Sequence, residues 1–174
     1  MNKKEFLNEM AKPFIVLVCI CLVAAGLLAF IHKVTAPVIE ENALAQAEAT
    51  RKEVLPSATA FEEIALTDTM EVDSIYKDAG GSGYVVTASV YGYHGDVTVT
   101  IGFDSDRKIL ALSADVSSET SGVGTKAGQD AYLSKYIGLS EGAENVDLIS
   151  GATYSSNAVR TAVENAIAAL GEIN

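Results

Sequence analysis

The chain has 174 residues, 23 of them acidic and 12 basic, for a formal charge of −11 at neutral pH. That is room for one modest domain and one appendage. An acid excess of this size, with no basic face in sight, excludes a nucleic-acid partner.

The appendage comes first. From Phe14 to Ile31 run 18 residues with no charge and no strongly polar side chain. As a helix they would cover about 27 Å, close to the thickness of a bilayer core. Pro13 stands where a helix start tolerates proline. The apolar region of a signal peptide is shorter, ~7–15 residues, and 32–37 shows no small-x-small cleavage pattern. The segment therefore reads as an uncleaved single-pass anchor. Lys3, Lys4 and Lys12 precede it and only Lys33 follows closely, so the positive-inside rule puts the N-terminus in the cytoplasm and the rest outside. Residues 34–174 hold 21 acidic and 8 basic residues, a net −13; anionic headgroups would repel such a surface. Both cysteines, Cys19 and Cys21, lie inside the span. Two apart on a helix, they point to nearly opposite sides and make neither a disulfide nor a metal pair. The remainder of the chain needs no disulfide framework. Ala24, Ala25, Gly26 and Ala29 would let other helices pack closely on the span.

Residues 42–54 are rich in Ala, Glu, Gln, Lys and Leu, all good helix formers, and Pro56 closes the run. This predicts a stalk helix, either bridging membrane and domain or packing on the domain as its first helix. Pro37 would start that helix or kink the one before it. Residues 57–82 are mixed and polar, ending in the breaker Ala79-Gly80-Gly81-Ser82-Gly83. Three strand-like runs follow, 84–91, 96–103 and 108–116. The middle one alternates in strict period two, which puts Val97, Val99, Ile101 and Phe103 on one side. Asp104-Ser105-Asp106 supplies a hairpin turn. After the glycine-rich stretch 119–125 a short amphipathic helix is predicted over 126–136, then a loop over 138–145. A last helix is predicted from about Ser156 to Leu170, with Val159, Val163, Ile167 and Leu170 on its packing face. The sum is an α+β domain whose antiparallel sheet is covered by helices.

Candidate chemistry gathers before that last helix, in Asp147-Leu148-Ile149-Ser150-Gly151-Ala152-Thr153. Gly151 permits a tight turn and close backbone approach, Ala152 adds no bulk, and Thr153 presents a hydroxyl. Ser155 or Ser156 is a good N-cap. A helix start offers free N–H groups and partial positive charge, so it suits a phosphate. On local physics alone the same string also makes an ordinary capped helix start. Tyr91, Tyr93 and His94 cluster before the second strand; hairpin packing is the favoured reading, stacking on a ligand ring the other. His94 has no companion that would make a metal site. No Ser/His/Asp or Cys/His set suggests hydrolysis, and neither a P-loop nor a GxGxxG run is present.

The string Asp147-x-x-Ser150-Gly151-Ala152-Thr153 resembles the flavinylation motif of the G subunit of Rnf-type ion-translocating ferredoxin:NAD oxidoreductases. It is similar also to that of the related C subunit of sodium-translocating NADH:quinone oxidoreductase. The likeness extends to the single N-terminal span, to Thr35-Ala36-Pro37…Asn42…Val54-Leu55-Pro56, and to Gly92-Tyr93-His94-Gly95. It includes Glu119-Thr120-Ser121-Gly122-Val123-Gly124, which resembles a Glu-Thr-Pro-Gly-Leu-Gly segment beside the flavin. Ser121 stands where the family has proline, implying a less rigid loop, and Ser117 and Ser118 stand where some relatives have histidine.

The resemblance implies that Thr153 carries flavin mononucleotide (FMN) through a phosphoester, installed from FAD by a flavin transferase. Asp147, Ser150, Gly151 and Ala152 would be recognition and shaping residues. Glu119, Thr120, Gly122 and Gly124 would lie around the cofactor, with a solvated loop carboxylate as the other reading of Glu119. Lys126 could stand near the phosphate or ring, but a surface lysine at a helix start is its favoured reading. The chain would then comprise a cytoplasmic N-terminus and transmembrane helix (1–33), a stalk helix (34–56) and an extracytoplasmic FMN-binding domain (57–174). It would act as an electron-relay subunit among other membrane and peripheral subunits of an ion-pumping complex in the cytoplasmic membrane, with no substrate chemistry of its own. The alternatives are a free-standing membrane-anchored respiratory flavoprotein and a non-redox assembly or binding module.

Overall fold

The computed structural model describes residues 3–67 and 69–173. The side chains of 3–10 lie outside the described part, and with them those of Lys3 and Lys4, on which the expected orientation partly rests. The chain divides into two compact units, residues 1–46 and 47–174.

The first helix, α1, runs without a break over Lys3–Val54 and includes Pro13 and Pro37. Pro37 therefore does not open a second helix. Among the described residues α1 is the one helix long and apolar enough to cross a membrane. Its apolar side chains, Phe14, Leu22, Leu28 and Phe30 among them, stand exposed with no protein partner, as a bilayer-facing surface requires.

The second unit is built on five antiparallel strands in the spatial order of the sequence. These are β1 (Phe61–Ile64), β2 (Ser74–Asp78), β3 (Gly83–Tyr91), β4 (Asp96–Asp104) and β5 (Ile109–Asp115). The last three match the expected runs. β1 and β2 fall in the stretch that reads as merely mixed and polar. Short strands with few apolar residues give little periodic signal, and here a buried carboxylate fixes them instead. Asp78 Oδ1 accepts from the Thr59 and Ala60 amides (2.8 and 3.3 Å) and Oδ2 from the Ser82 amide and hydroxyl (3.0 and 2.7 Å). The Ser82 amide leads these donors in holding the Asp78 carboxyl well below the usual range.

Val97, Val99, Ile101 and Phe103 are fully buried on one face of the sheet, as their alternation predicts. The helix α3 (Thr153–Glu172) lies on that face. It contributes Val159, Val163 and Leu170, with Ala158, Ala162 and Ala166 letting it approach closely. On the opposite face Val54 and Leu55 are buried against Val85. There a Cβ on Gly102 would overlap the Val54 carbonyl oxygen, so the end of α1 packs on the sheet. The expected helix over 126–136 is broken into a 3-10 turn at Gly124–Gly128, the single helical turn α2 (Asp130–Leu133) and a 3-10 turn at Ser134–Tyr136. The break falls where Gln129 takes an extended conformation.

Candidate functional site

Three segments converge at one end of the sheet: the β3–β4 hairpin tip, the 116–125 loop and the start of α3. They enclose a cleft of about 390 Å³ lined by Tyr93, Thr120, Val123, Gly124 and the run Gly151–Ser155.

Glu119 joins the three. Its side chain is 5 % exposed. Oε1 accepts from the backbone N–H of Tyr93 (2.8 Å) and His94 (3.1 Å), and Oε2 from the Ser155 hydroxyl (2.5 Å). Burial pushes this carboxyl up, but hydrogen bonds from Ser155, His94, Tyr93 and Gly95 outweigh it and hold it below its ordinary value. It is therefore an anion at neutral pH. The walls around it are tight. A Cβ on Gly92 would meet Glu119 Oε1 at 2.5 Å, and one on Gly124 would meet Ser155 Oγ at 2.7 Å. The loop is held from within: the Thr120 carbonyl accepts the amides of Val123, Gly124 and Thr125, and Thr125 Oγ accepts the Gly122 amide. This bonding constrains the turn without a proline at position 121.

α3 begins at Thr153, three residues before the expected start, with Ala152 in the capping position and no side-chain cap. Neither serine plays the predicted capping part. Ser155 is spent on Glu119. Ser156 donates to the Ala152 carbonyl (2.8 Å) and accepts the Ile149 amide (3.1 Å). Behind them the Tyr132 hydroxyl reaches the Ser156 carbonyl (3.2 Å) and pairs with Tyr136 (2.9 Å). The first intrahelical amide bond is Ser156 N–H to Ala152, so the N–H groups of Thr153, Tyr154 and Ser155 have no intrahelical partner. The turn before them needs Gly151, at φ +82°, a region that side chains other than glycine rarely enter. The space a Cβ would occupy there is open, so it is the backbone angle that demands glycine.

Of the residues singled out in the sequence, Thr120, Gly124, Gly151, Ala152 and Thr153 line the cleft, and Thr153 is exposed in it. Glu119 lies in its wall. Asp147 and Ser150 are exposed on the approach to α3, Gly122 on the outer loop and Lys126 on the 3-10 turn, none of them lining residues. Tyr93 lines the cleft and is 59 % exposed, so the ring is not buried by hairpin packing although it meets His94 edge-on within the hairpin. Sequence reasoning does not single out Tyr154, Ser155 and Val123 as cleft residues. Tyr154-Ser155 stands directly after the motif, and that adjacency is the available signal. The cleft lining includes no lysine, arginine or histidine, and no group of potential metal ligands occurs among the described residues.

An antiparallel sheet with a cleft at the open start of its covering helix follows an apolar N-terminal helix. Residues 92–168, which contain every cleft-lining residue, match the family model of the FMN-binding domain, and residues 1–54 match the RnfG N-terminal region. The chain is 31 % identical to the G subunit of the Na(+)-translocating ferredoxin:NAD(+) oxidoreductase complex of Acetobacterium woodii, over 88 % of this chain and 87 % of that one. It is 30 % identical to the G subunit of the ion-translocating oxidoreductase complex of Methanosarcina acetivorans, over 92 % and 94 %. The chain belongs to the family of G subunits of Rnf-type ion-translocating oxidoreductase complexes. A shorter likeness, 41 % over 47 % of this chain but 8 % of the other, is to the NADH:acrylate oxidoreductase of Vibrio harveyi.

Proposed function

We propose that this protein is a membrane-anchored electron-transfer subunit that carries FMN covalently on Thr153 and works within an ion-pumping ferredoxin:NAD oxidoreductase complex. The observation that carries this reading is the cleft itself. An exposed threonine hydroxyl stands at a helix start whose first amides lack intrahelical partners, beside a pocket of ligand size. Bound FMN supplies a ring that accepts and releases electrons, chemistry that no side chain here provides.

The residues present fit an attached cofactor better than a dissociable one. A free phosphate monoester carries about −1.5 to −2 charges at neutral pH. It would enter a cleft with no cationic lining residue, next to the Glu119 anion. A phosphodiester carries a single charge, which the helix-start amides can hold, and the bond removes the need for binding affinity. Its formation from FAD would balance as a phosphoryl transfer: the Thr153 hydroxyl would lose its proton as Oγ bonds the FMN phosphorus, and the pyrophosphate P–O bond would break with its electron pair and a proton going to AMP. Asp147 and Ser150, exposed away from the cleft lining, suit recognition by the transferase rather than contact with the ring. Glu119 and Thr120 shape the pocket, and Lys126 stands apart from it.

The remaining subunits are the partners. The apolar helix anchors the chain in the cytoplasmic membrane, with residues 57–174 on the outer side. Coverage of 87 % and 94 % of two G-type relatives, with residues 1–54 matching the RnfG N-terminal region, favours membership of a complex over a free-standing flavoprotein. The test is mass spectrometry of the full chain coexpressed with a flavin transferase. A gain of FMN minus water on the Thr153 peptide is expected; an unmodified peptide beside a transferase shown to be active refutes the reading. Co-purification of other complex subunits from the native membrane checks the assembly.

A further inference from the structure

We propose that Tyr93 and Tyr154 form the platform on which the flavin ring rests, and that Glu119 is the positioning residue that holds the two in register. This rests on the assignment of FMN to Thr153. Both tyrosines line the cleft, yet their side chains are exposed, 59 % and 70 %. Large aromatics left bare in a pocket are poised for a flat apolar ligand. Their ring centroids lie 6.1 Å apart with planes tilted by 42°. A third ring inserted between them would need two stacking gaps of about 3.5 Å each. They therefore cannot sandwich a ring. They make an angled floor that covers one ring face and leaves the other open to an electron-transfer partner.

The two supports share one carboxylate. Glu119 Oε1 takes the Tyr93 amide, and Oε2 takes the hydroxyl of Ser155, the residue after Tyr154. His94 braces Tyr93 edge-on, centroids 4.8 Å apart. Glu119 thus sets the spacing of the platform although its own oxygens are turned inward, to the protein.

The test uses the full chain in detergent, loaded by coexpressed flavin transferase, with two readouts: mass of the Thr153 peptide and native flavin fluorescence per attached flavin. An electron-rich phenol stacked on the ring quenches that fluorescence. Wild type should be dim when native and several-fold brighter when denatured. Tyr93→Leu and Tyr154→Leu should each raise native emission several-fold with the mass gain retained. Glu119→Gln should raise it to an intermediate level without touching the flavin. Attachment lost in a leucine variant but kept in the Tyr→Phe variant at that position also supports a ring contact; loss in both overturns it. Full attachment with both leucine variants as dim as wild type, or a wild type already bright when native, overturns the platform and leaves the attachment site standing. No mass gain in wild type overturns the Thr153 assignment and the platform with it.

Discussion

Removing the Glu119–Ser155 bond gives a sharp test of how the cleft is held together. Glu119→Ala deprives the Ser155 hydroxyl, buried at 2 % exposure, of its acceptor. It also deprives the part-buried Tyr93 and His94 amides of theirs. A hydrogen bond to a charged group contributes about 1.5–3 kcal/mol, and a buried donor left alone costs about 1–3 kcal/mol. The two amides lie near enough to the surface to recover water, so the expected loss is about 3 kcal/mol rather than the simple total. Ser155→Ala leaves the anion with its backbone donors and should cost about 2 kcal/mol. The double variant should fall short of additivity by about 1–1.5 kcal/mol, the coupling of one shared bond. Urea unfolding of the full chain in detergent measures this. The chain has no tryptophan, and all seven tyrosines lie between Tyr76 and Tyr154, so tyrosine emission reports on the domain and not on the apolar helix. Strict additivity would show that Glu119 and Ser155 act independently, and the clip would have to be abandoned.

Other outcomes can be checked alongside. Thr153→Val should abolish in-gel flavin fluorescence of the denatured band while leaving the urea midpoint unchanged; a persistent fluorescent band would remove Thr153 as acceptor. Gly151→Val should destabilise the domain by about 1 kcal/mol or more and block attachment, because the turn needs φ +82°; full flavin content would refute this. Asp78→Asn should lower the urea midpoint and loosen β1 from β2, seen as faster amide exchange at Thr59, Ala60 and Ser82; unchanged exchange would deny Asp78 that role. Glu119 and Asp78 both have lowered folded values. Their contributions are thus complete above about pH 4.5 and 3.8 respectively and fade as pH falls below those values. A urea midpoint flat from pH 7 to 4 and on down would contradict this.

What could be read from the sequence follows the strength of each local signal. Eighteen uncharged residues are unambiguous in length, and the alternation of β4 gives its buried face directly. β1 and β2 are short, and a side chain fixes them that nothing in sequence marks as buried; Asp78 looks like any surface aspartate. The same holds for Glu119. The resemblance places it by the cofactor, but its inward role depends on donors 25, 26 and 36 residues away. The early start of α3 is hidden because Ser155 and Ser156 have the chemistry of caps. Their hydroxyls are committed to tertiary partners instead, which lets the helix extend to Thr153.

The strands pair in the order in which they occur, so the sheet can form from neighbours alone with little loop-closure cost. The cleft cannot. It exists only once α3, downstream of every strand, has docked and Ser155 has met Glu119 across 36 residues. A chain with its sheet formed and α3 still loose has no shaped cleft. If Thr153 carries FMN as proposed, the pocket that would receive its ring is therefore the last part of the domain to take shape, after the sheet that supports it.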